Sequence, residues 1–277
     1  MNIAVDIGNT RIKCGIFYPD GEYEVNACEV SSKNGQPDTE LAHRLLRWET
    51  VASLDVLTAE IYPSPLTWRI AQTGSFSWEK LKTEILKERP QDEFQIVDWK
   101  QIPLKIDVDF PEKTGIDRLL AAFAAVKNGG NVPMLVVDAG SAITVDVVQN
   151  QTFCGGAIFP GLSVLSATYP TISKKLPLVP IPGFPDTYNN DVEPPIYPGK
   201  NTEDAILTGL YWGTIGAIRQ FYDMVFPKKD ARVILTGGDA EFLWAGLSQV
   251  IPLQQVTHCD TLVLDGINLC FDAHQAF

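Results

Sequence analysis

The sequence has no long apolar segment and little positive charge. No uninterrupted apolar run approaches the roughly 18 residues that a membrane-spanning helix requires. Asp6 also interrupts the apolar start, so we expect neither a signal peptide nor a membrane partner. Only 22 lysines and arginines oppose 34 aspartates and glutamates, and the formal net charge is −12. An acidic surface repels nucleic-acid backbones, so nucleic acid is not an expected partner either.

Cysteine and histidine are too scattered for the usual structural metal or disulfide sites. The five cysteines have no C-x-x-C spacing, and the three histidines are widely separated. This usage argues against a disulfide framework and a zinc site, and it favours a reducing, cytoplasmic location.

Several common catalytic motifs are also absent. The chain has no G-x-x-x-x-G-K-[ST] loop, no G-x-S-x-G elbow, no H-E-x-x-H motif and no protein-kinase signature. These absences exclude P-loop NTPases, protein kinases and the serine and zinc hydrolases that carry those motifs. With 277 residues, the chain is long enough for one large domain or two of about 130 residues.

The opening hairpin, residues 2–17, is the first candidate site. The strand NIAVDI delivers Asp6 near its end, a turn of small residues follows, and the second strand begins with Arg11 and Lys13. Such a turn can offer backbone N–H groups, a hydroxyl and an ammonium to phosphates, while the carboxylate can hold a cation. Asp-x-Gly also occurs in ordinary hairpins, so this segment alone leaves a structural and a phosphate-binding role open.

The segment MLVVDAGSAITVDVVQ, residues 134–149, repeats the pattern of the opening hairpin. An ungapped alignment places Asp138 over Asp6 and Gly140 over Gly8. Two such hairpins indicate a duplicated domain in which each copy contributes one phosphate-facing turn. Buried hairpins can also resemble each other by chance over so short a stretch, so that alternative stays open.

Between the hairpins, the segment DFPEKTGIDR, residues 109–118, places a carboxylate and a guanidinium at the start of a helix. Thr114-Gly115 indicates a turn, and Asp117 opens the predicted helix DRLLAAFAAVKN. Aspartate at a helix start is ordinary capping chemistry, whereas Arg118 in the first turn opposes the helix dipole. The pair is therefore a candidate for catalysis or binding as well as for capping.

Helices and loops are also predicted outside these motifs. Helices are expected over residues 39–48 and 162–173, the second with a break at Pro170. The proline-rich stretch 177–198 is interpreted as an irregular loop or flap.

Two later segments have glycines at informative positions. The predicted helix that follows Asn201-Thr202 contains Gly209, Gly213 and Gly216, a spacing that permits close helix–helix contact within the chain or across a dimer. The strand in residues 232–240 runs into a Thr-Gly-Gly turn, which lets the backbone approach a flat ligand such as adenine.

Taken in order, these blocks resemble the type III pantothenate kinases, within the superfamily of acetate kinases, hexokinases and actin-like ATPases. DIGNTRIK (6–13) and DAGSAITVD (138–146) are similar to the two phosphate motifs of that family, and GIDR (115–118) is similar to its G-x-D-R motif. Later family blocks are matched by GGAIFPG (155–161), Asn201-Thr202 and Thr236-Gly237-Gly238. The resemblance covers nearly the whole chain, and the order of the blocks is more specific than any one of them.

The resemblance implies an α/β fold and a kinase activity. It implies two duplicated ribonuclease H-like (actin-like ATPase) domains, residues 1–114 and 115–277, each a mixed sheet flanked by helices, with the active site in the cleft between them. The implied reaction is ATP-dependent phosphorylation of pantothenate, the first step of coenzyme A biosynthesis. It would use Mg²⁺ and a monovalent cation (K⁺ or NH₄⁺) in a cytoplasmic homodimer.

The resemblance also assigns roles by position. Asp117 is implied to be the base that accepts the proton of the primary hydroxyl of pantothenate, and Asp138 to be the ligand of the monovalent cation. The residues implied to bind ATP phosphates and Mg²⁺ are Asp6, Ile7, Gly8, Asn9, Thr10, Arg11, Ile12 and Lys13, with Ser141 contacting ATP. The residues implied to line the pantothenate pocket are Gly115, Ile116, Asp117 and Arg118, with Thr202 contributed by the partner subunit.

Two positions depart from the family pattern. Ser141 stands where the family usually has threonine, which keeps the hydroxyl. The usual tyrosine before G-x-D-R is missing, and Phe110 is the only nearby aromatic residue. Two alternatives stay open: another small-molecule kinase or phosphatase of the same fold, and a non-catalytic transcription accessory factor. The second would favour a basic face and loss of Asp117, and the sequence has neither feature.

Overall fold

The chain forms two compact units in a computed structural model that describes residues 1–9, 11–18, 21–29, 47–50, 53–56, 63–74, 76–182 and 193–272. Unit 1 comprises Met1–Leu104, Phe110–Ala124 and Thr261–Phe277, and unit 2 comprises Lys105–Asp109 and Ala125–Asp260. Each unit therefore combines segments that are distant in sequence. The predicted domain boundary between residues 114 and 115 stays a prediction.

The described residues contain thirteen strands and six α-helices. The strands are β1 (Asn2–Ile7), β2 (Arg11–Phe17), β3 (Tyr23–Glu29), β4 (Arg47–Thr50), β5 (Ser53–Val56), β6 (Thr67–Gln72), β7 (Glu93–Ile96), β8 (Lys105–Ile106), β9 (Met134–Ala139), β10 (Ala142–Gln149), β11 (Thr152–Pro160), β12 (Arg232–Thr236) and β13 (Val256–His258). The helices are α1 (Trp78–Glu88), α2 (Ile116–Gly129), α3 (Leu162–Ile172), α4 (Thr202–Val225), α5 (Ala240–Val250) and α6 (Leu262–Asp272). None of these helices has both the length and the apolar character needed to cross a bilayer.

The sheet of unit 1 has the strand order β3-β2-β1-β6-β7. The central strand β1 pairs antiparallel with β2 and parallel with β6. Its nearly unbroken apolar run follows from this central position, because both faces of the strand are covered. One face belongs to a core cluster that includes Ile3, Val5, Ile7, Ile12, Cys14, Ile16, Trp68 and Ile70. Helix α6 packs against β1, β2 and β6, and its Leu264 lies beside Gly15.

The sheet of unit 2 repeats this topology and adds one strand at the edge. Its order is β13-β12-β9-β10-β11-β8. The central strand β9 pairs antiparallel with β10 and parallel with β12. Strands β9, β10, β11, β12 and β13 therefore correspond to β1, β2, β3, β6 and β7. This repeated order confirms the predicted duplication of a mixed sheet flanked by helices.

Two predicted helices differ in the structure. Helix α3 continues through Pro170 without the expected break. Proline lacks an N–H, so the helix loses the bond that residue 170 would donate to the Ser166 carbonyl oxygen. The next part of the helix keeps its bonding, since the Ser173 N–H donates to the Tyr169 carbonyl oxygen at 3.2 Å. Of the helix predicted over 39–48, residues 39–46 lie outside the described residues, and Arg47 and Trp48 begin strand β4.

Candidate functional site

The β1–β2 turn presents Asp6 near the carboxyl end of the central strand of unit 1. Asp6 is half-buried and lies opposite Lys13 in the antiparallel pair, so the two side chains are on the same face of the sheet. The Gly8 N–H closes the turn by donating to the Arg11 carbonyl oxygen at 3.0 Å. Thr10 lies outside the described residues. A carboxylate with basic residues on the facing strand suits a phosphate chain and its cation.

Two residues of the predicted ATP segment can contribute only their main chain. The side chains of Ile7 and Ile12 are fully buried in the core cluster of unit 1. Asn9 is exposed, and Arg11 and Lys13 are half-buried. The surface of this hairpin available to a ligand therefore consists of the turn backbone and polar side chains.

Sequence reasoning missed the segment that packs against this turn. The N–H groups of Thr73 and Gly74 both donate to the Ile7 carbonyl oxygen, at 3.0 and 2.8 Å. A Cβ on Gly74 would collide with the Gly8 carbonyl oxygen. The sequence offers one signal for this segment, a glycine soon after a strand, but nothing in it links Gly74 to the turn at Gly8.

The β9–β10 turn of unit 2 presents Asp138 in the position that Asp6 has in unit 1. Asp138 is also half-buried near the end of a central strand. In this hairpin residues 140–142 connect the last paired residues, Ala139 and Ile143. In the first hairpin residues 8–11 connect the last paired residues, Ile7 and Ile12. The second turn is therefore one residue shorter, and the ungapped alignment holds only as far as Gly140.

Two further loops pack closely onto the β9–β10 turn. The Gly161 N–H donates to the Ser141 carbonyl oxygen at 2.9 Å, and a Cβ on Gly161 would collide with the carbonyl oxygen of Gly140. Gly237 has a φ of 96°, which favours glycine, and a Cβ there would collide with the Asp138 carboxylate. These loops lead into α3 and α5, and two helix N-termini beside one turn favour an anionic ligand.

Asp117 lies inside the first turn of α2, which begins at Ile116, and not at the helix cap. Its half-buried carboxylate accepts a hydrogen bond from the Arg118 N–H at 2.9 Å. The accepting atom is Asp117 Oδ1, and a Cβ on Gly115 would come within 2.5 Å of it. Glycine at position 115 therefore leaves room for the carboxylate. Burial raises the pKa of Asp117, and the N–H and charge of Arg118 lower it in part. A carboxylate with a raised pKa is a stronger proton acceptor than an exposed one.

Phe110 lies on the turn that precedes α2. Its side chain is 56% exposed, and the Lys113 ammonium lies 4.5 Å from the centre of its ring. The Lys113 N–H and the Thr114 hydroxyl both donate to the Phe110 carbonyl oxygen, at 3.0 and 3.3 Å. Phe110 can therefore offer a ring face to a ligand, but it lacks the hydroxyl of tyrosine.

Thr202 is the first residue of α4 and is exposed. The helix start is capped by Asn201, whose Oδ1 accepts from the Asp204 N–H at 2.8 Å. A depression of about 310 Å³ lies between residues 197–199 and the first turns of α4. The glycine stripe (Gly209, Gly213 and Gly216) faces open space, since a Cβ at each position would meet no atom within 4 Å. No described part of the chain fills the stripe.

The predicted site residues divide between the two units. Unit 1 contains residues 6–13 and the segment 110–118, whereas unit 2 contains Asp138, Ser141 and Thr202. Within the described ranges, no three His, Cys, Asp or Glu side chains are grouped so that they could hold a metal ion.

The sequence is similar to one protein family and to individual members of it. The sequence model of the type III pantothenate kinase family matches residues 2–224. A type III pantothenate kinase of Persephonella marina is 31% identical over 256 residues, which cover 89% of this chain and 91% of the relative. A type III pantothenate kinase of Acidobacterium capsulatum is 30% identical over 289 residues, with coverages of 100% and 96%.

Two solved structures share the fold. A protein of Campylobacter jejuni described as a Baf family transcriptional activator superposes with a TM-score of 0.54 at 20% identity, covering 99% of this chain and 100% of that protein. A Listeria monocytogenes protein described as an N-acetylmannosamine kinase gives a TM-score of 0.51 at 16% identity, with both coverages 99%. At these identities the likeness shows the fold alone, and it agrees with the predicted fold class.

Proposed function

The chain belongs to the type III pantothenate kinase family, and from this membership we propose that it transfers the γ-phosphoryl group of ATP to the primary hydroxyl of pantothenate. The product would be 4′-phosphopantothenate, formed in the first step of coenzyme A biosynthesis. A cytoplasmic location is part of the proposal, since ATP is available there and the scattered cysteines suit a reducing compartment.

The observation that carries the proposal is the Asp117 carboxylate in the first turn of α2. An alcohol is a weak nucleophile until a base takes its proton. Asp117 is half-buried with a raised pKa, and Gly115 leaves space beside its Oδ1. In the proposed reaction, Asp117 accepts the hydroxyl proton while the oxygen bonds to the γ-phosphorus. The bond from that phosphorus to the β–γ bridging oxygen breaks, and ADP leaves. Gly115, Ile116 and Arg118 would contact pantothenate.

We assign ATP binding to residues 6–13 and Ser141. The support for residues 6–13 is a closed glycine turn at the end of a central strand, with Arg11 and Lys13 on the adjoining strand. Local cations and backbone donors are needed because the molecule as a whole repels anions at a net charge of −12. The exposed Ser141 offers a hydroxyl beside the start of α3, where the Gly161 N–H donates to its carbonyl oxygen.

Mg²⁺ and a monovalent cation complete the proposed site. Mg²⁺ bound with a nucleotide usually takes one or two carboxylates together with phosphate oxygens, so Asp6 is sufficient as its protein ligand. Asp138 would hold K⁺ or NH₄⁺. Its carboxylate and the Ala139 carbonyl oxygen both border the space that a side chain at position 237 would fill, and oxygen atoms are the ligands that such cations take. When bound, these cations supply positive charge that offsets the phosphate charge of the transition state.

A homodimer is proposed with α4 in the interface, so that Thr202 of the partner subunit reaches pantothenate. The support is the glycine stripe of α4, which faces open space. Next to it, Ile196 and Tyr197 are each 81% exposed. Exposed apolar side chains beside an open glycine stripe suit contact with another copy of the same helix.

The proposal is tested by measuring ADP release from ATP and Mg²⁺ with and without pantothenate. We expect release to depend on pantothenate and to be faster when Na⁺ is replaced by K⁺ or NH₄⁺. Equal ATP consumption without pantothenate would contradict the kinase assignment. Pantothenate-dependent release with no response to K⁺ or NH₄⁺ would contradict the cation assignment alone.

A further inference from the structure

We propose that Gln72 and Gly74 are positioning residues for the ATP-binding β1–β2 turn. The inference rests on the proposed ATP role of residues 6–13, and it concerns two residues outside that segment. Gln72 ends β6, and Gly74 lies in the β6–α1 connection, residues 73–77, of which Ser75 lies outside the described residues. Both would act through the backbone of the turn and not by touching ATP.

Gly74 sets the position of the turn backbone by direct contact. It is buried, and its N–H and that of Thr73 both donate to the Ile7 carbonyl oxygen. A Cβ at position 74 would collide with the Gly8 carbonyl oxygen and lie 2.9 Å from the Asn9 nitrogen. The contact is therefore with the peptide group that joins Gly8 to Asn9, part of the backbone proposed to face phosphate. Any larger residue at position 74 must push that peptide group away.

Gln72 holds Gly74 in place through its side-chain amide. The Nε2 donates to the Gly74 carbonyl oxygen at 3.3 Å, and the Oε1 accepts from the Trp78 N–H at 3.2 Å. Trp78 is the first residue of α1, and its N–H has no partner within the helix. The cap residue Ser77 makes no capping bond, because its hydroxyl donates to Glu79 at 2.6 Å instead. One side chain thus accepts from the first N–H of the helix and donates to the Gly74 carbonyl oxygen.

The far side of the connection is anchored in the core of unit 1. Phe76 and Trp78 pack against the core cluster, so the connection lies between that core and the turn. Unit 2 has a corresponding bond: the Asp239 N–H after β12 donates to the Ala139 carbonyl oxygen at 2.9 Å. Ala139 occupies the position of Ile7, so one of the two bonds to this carbonyl oxygen recurs at the second turn.

The test compares Gln72→Met, which removes both amide bonds, with Gln72→Glu, which keeps the acceptor for Trp78 and loses the donor to Gly74. ATP·Mg²⁺ affinity is measured by equilibrium titration, and KM is measured for both substrates. We expect Gln72→Met to weaken ATP binding about 3- to 10-fold, the size expected for loss of one or two ordinary hydrogen bonds. Gln72→Glu also loses the bond to Gly74 and places a carboxylate oxygen beside that carbonyl oxygen, so its loss should be at least as large. KM for pantothenate should stay within about 2-fold for both variants. Gly74→Ala should give a larger loss of ATP affinity than either.

The matched control is Gln91→Met, which removes another exposed side-chain bond in unit 1, from Gln91 Nε2 to the Pro63 carbonyl oxygen at 2.9 Å. It should leave ATP affinity unchanged. If Gln72→Met shifts Tm as Gln91→Met does and leaves ATP affinity intact, the positioning role is overturned. Faster amide exchange at Gly74 together with weaker ATP binding in Gln72→Met supports it.

Direct ATP titration separates this inference from the proposed function. If the wild-type protein binds ATP but fails to phosphorylate pantothenate, the proposed acceptor is wrong, and the Gln72 comparison still decides the positioning role. If the wild-type protein binds no ATP, both are overturned. Should Gly74→Ala fail to fold, the two Gln72 variants decide the outcome.

Discussion

At the scale of single residues, Asp117 is a charged group held in a place that favours its neutral form. Since burial raises the pKa of Asp117, its contribution to the free energy of unfolding is present at low pH and lost as pH rises through the raised pKa. Asp117→Asn should therefore keep or raise Tm at pH 7. Turnover should fall about 10²- to 10⁴-fold, the usual contribution of a general base, with ATP affinity nearly unchanged. Steady-state kinetics and thermal unfolding check both parts. Unchanged turnover would indicate a different base, with Asp6 or Asp138 as the next candidates.

Arg118 tunes the same carboxylate, which leads to a prediction about pH. The ionised form of Asp117 is the proton acceptor, so kcat/KM should fall as pH drops through its pKa, which lies above the usual value of about 3.9. The positive charge of Arg118 lowers that pKa, so Arg118→Gln should move the acidic limb to higher pH. A pH profile of kcat/KM for pantothenate measures the shift. A limb that stays in place or moves to lower pH would show that Asp117 is not the titrating group.

At the scale of elements, the glycine stripe of α4 allows a test of the dimer that leaves the single chain intact. A Cβ at Gly213 meets no atom within 4 Å, and leucine has a helix propensity better than glycine by up to about 1 kcal/mol. Gly213→Leu should therefore fold normally, whereas a helix packed closely on the stripe would be displaced by the side chain. We expect a monomer by light scattering and reduced turnover, because Thr202 of the partner subunit is lost. Gly213→Ala is the smaller control, and a Gly213→Leu dimer would exclude the stripe from the interface.

The elements that carry motifs were predictable, because their signals are local. The apolar strand before Asp6, its repeat before Asp138 and the helix after Gly115 can all be identified within short segments of sequence. The contact of Gly74 with Gly8 was not predictable, since no periodicity links two turns on neighbouring strands. The helix through Pro170 was missed because proline removes only the bond to the carbonyl oxygen four residues before it, and the remaining bonds keep the helix continuous.

At the scale of the whole molecule, unit 1 combines the N-terminal part of the chain with the C-terminal helix α6, and direct contacts join the two. The buried Arg69 of β6 donates through Nη1 to Asn268 of α6, to the carbonyl oxygen at 2.9 Å and to Oδ1 at 2.6 Å. Its guanidinium also lies 5.3 Å from the ring centre of Phe271. In the sequence, Arg69 looks like an ordinary surface residue, because arginine is seldom buried. Its contacts with α6 therefore could not be predicted from the hydrophobic pattern of the sequence.

The net charge of the whole molecule leads to a prediction about substrate capture. At −12 the protein repels pantothenate, which is an anion. Raising ionic strength from about 0.05 to 0.2 M with choline chloride, at fixed saturating K⁺ and ATP, shortens the screening length and weakens this repulsion. We expect kcat/KM for pantothenate to rise about 2-fold while kcat stays constant. An uncharged pantothenate analogue with an alcohol in place of the carboxylate should show no such rise. If kcat/KM for pantothenate falls with salt, local cations such as Arg118 outweigh the net charge in guiding the substrate.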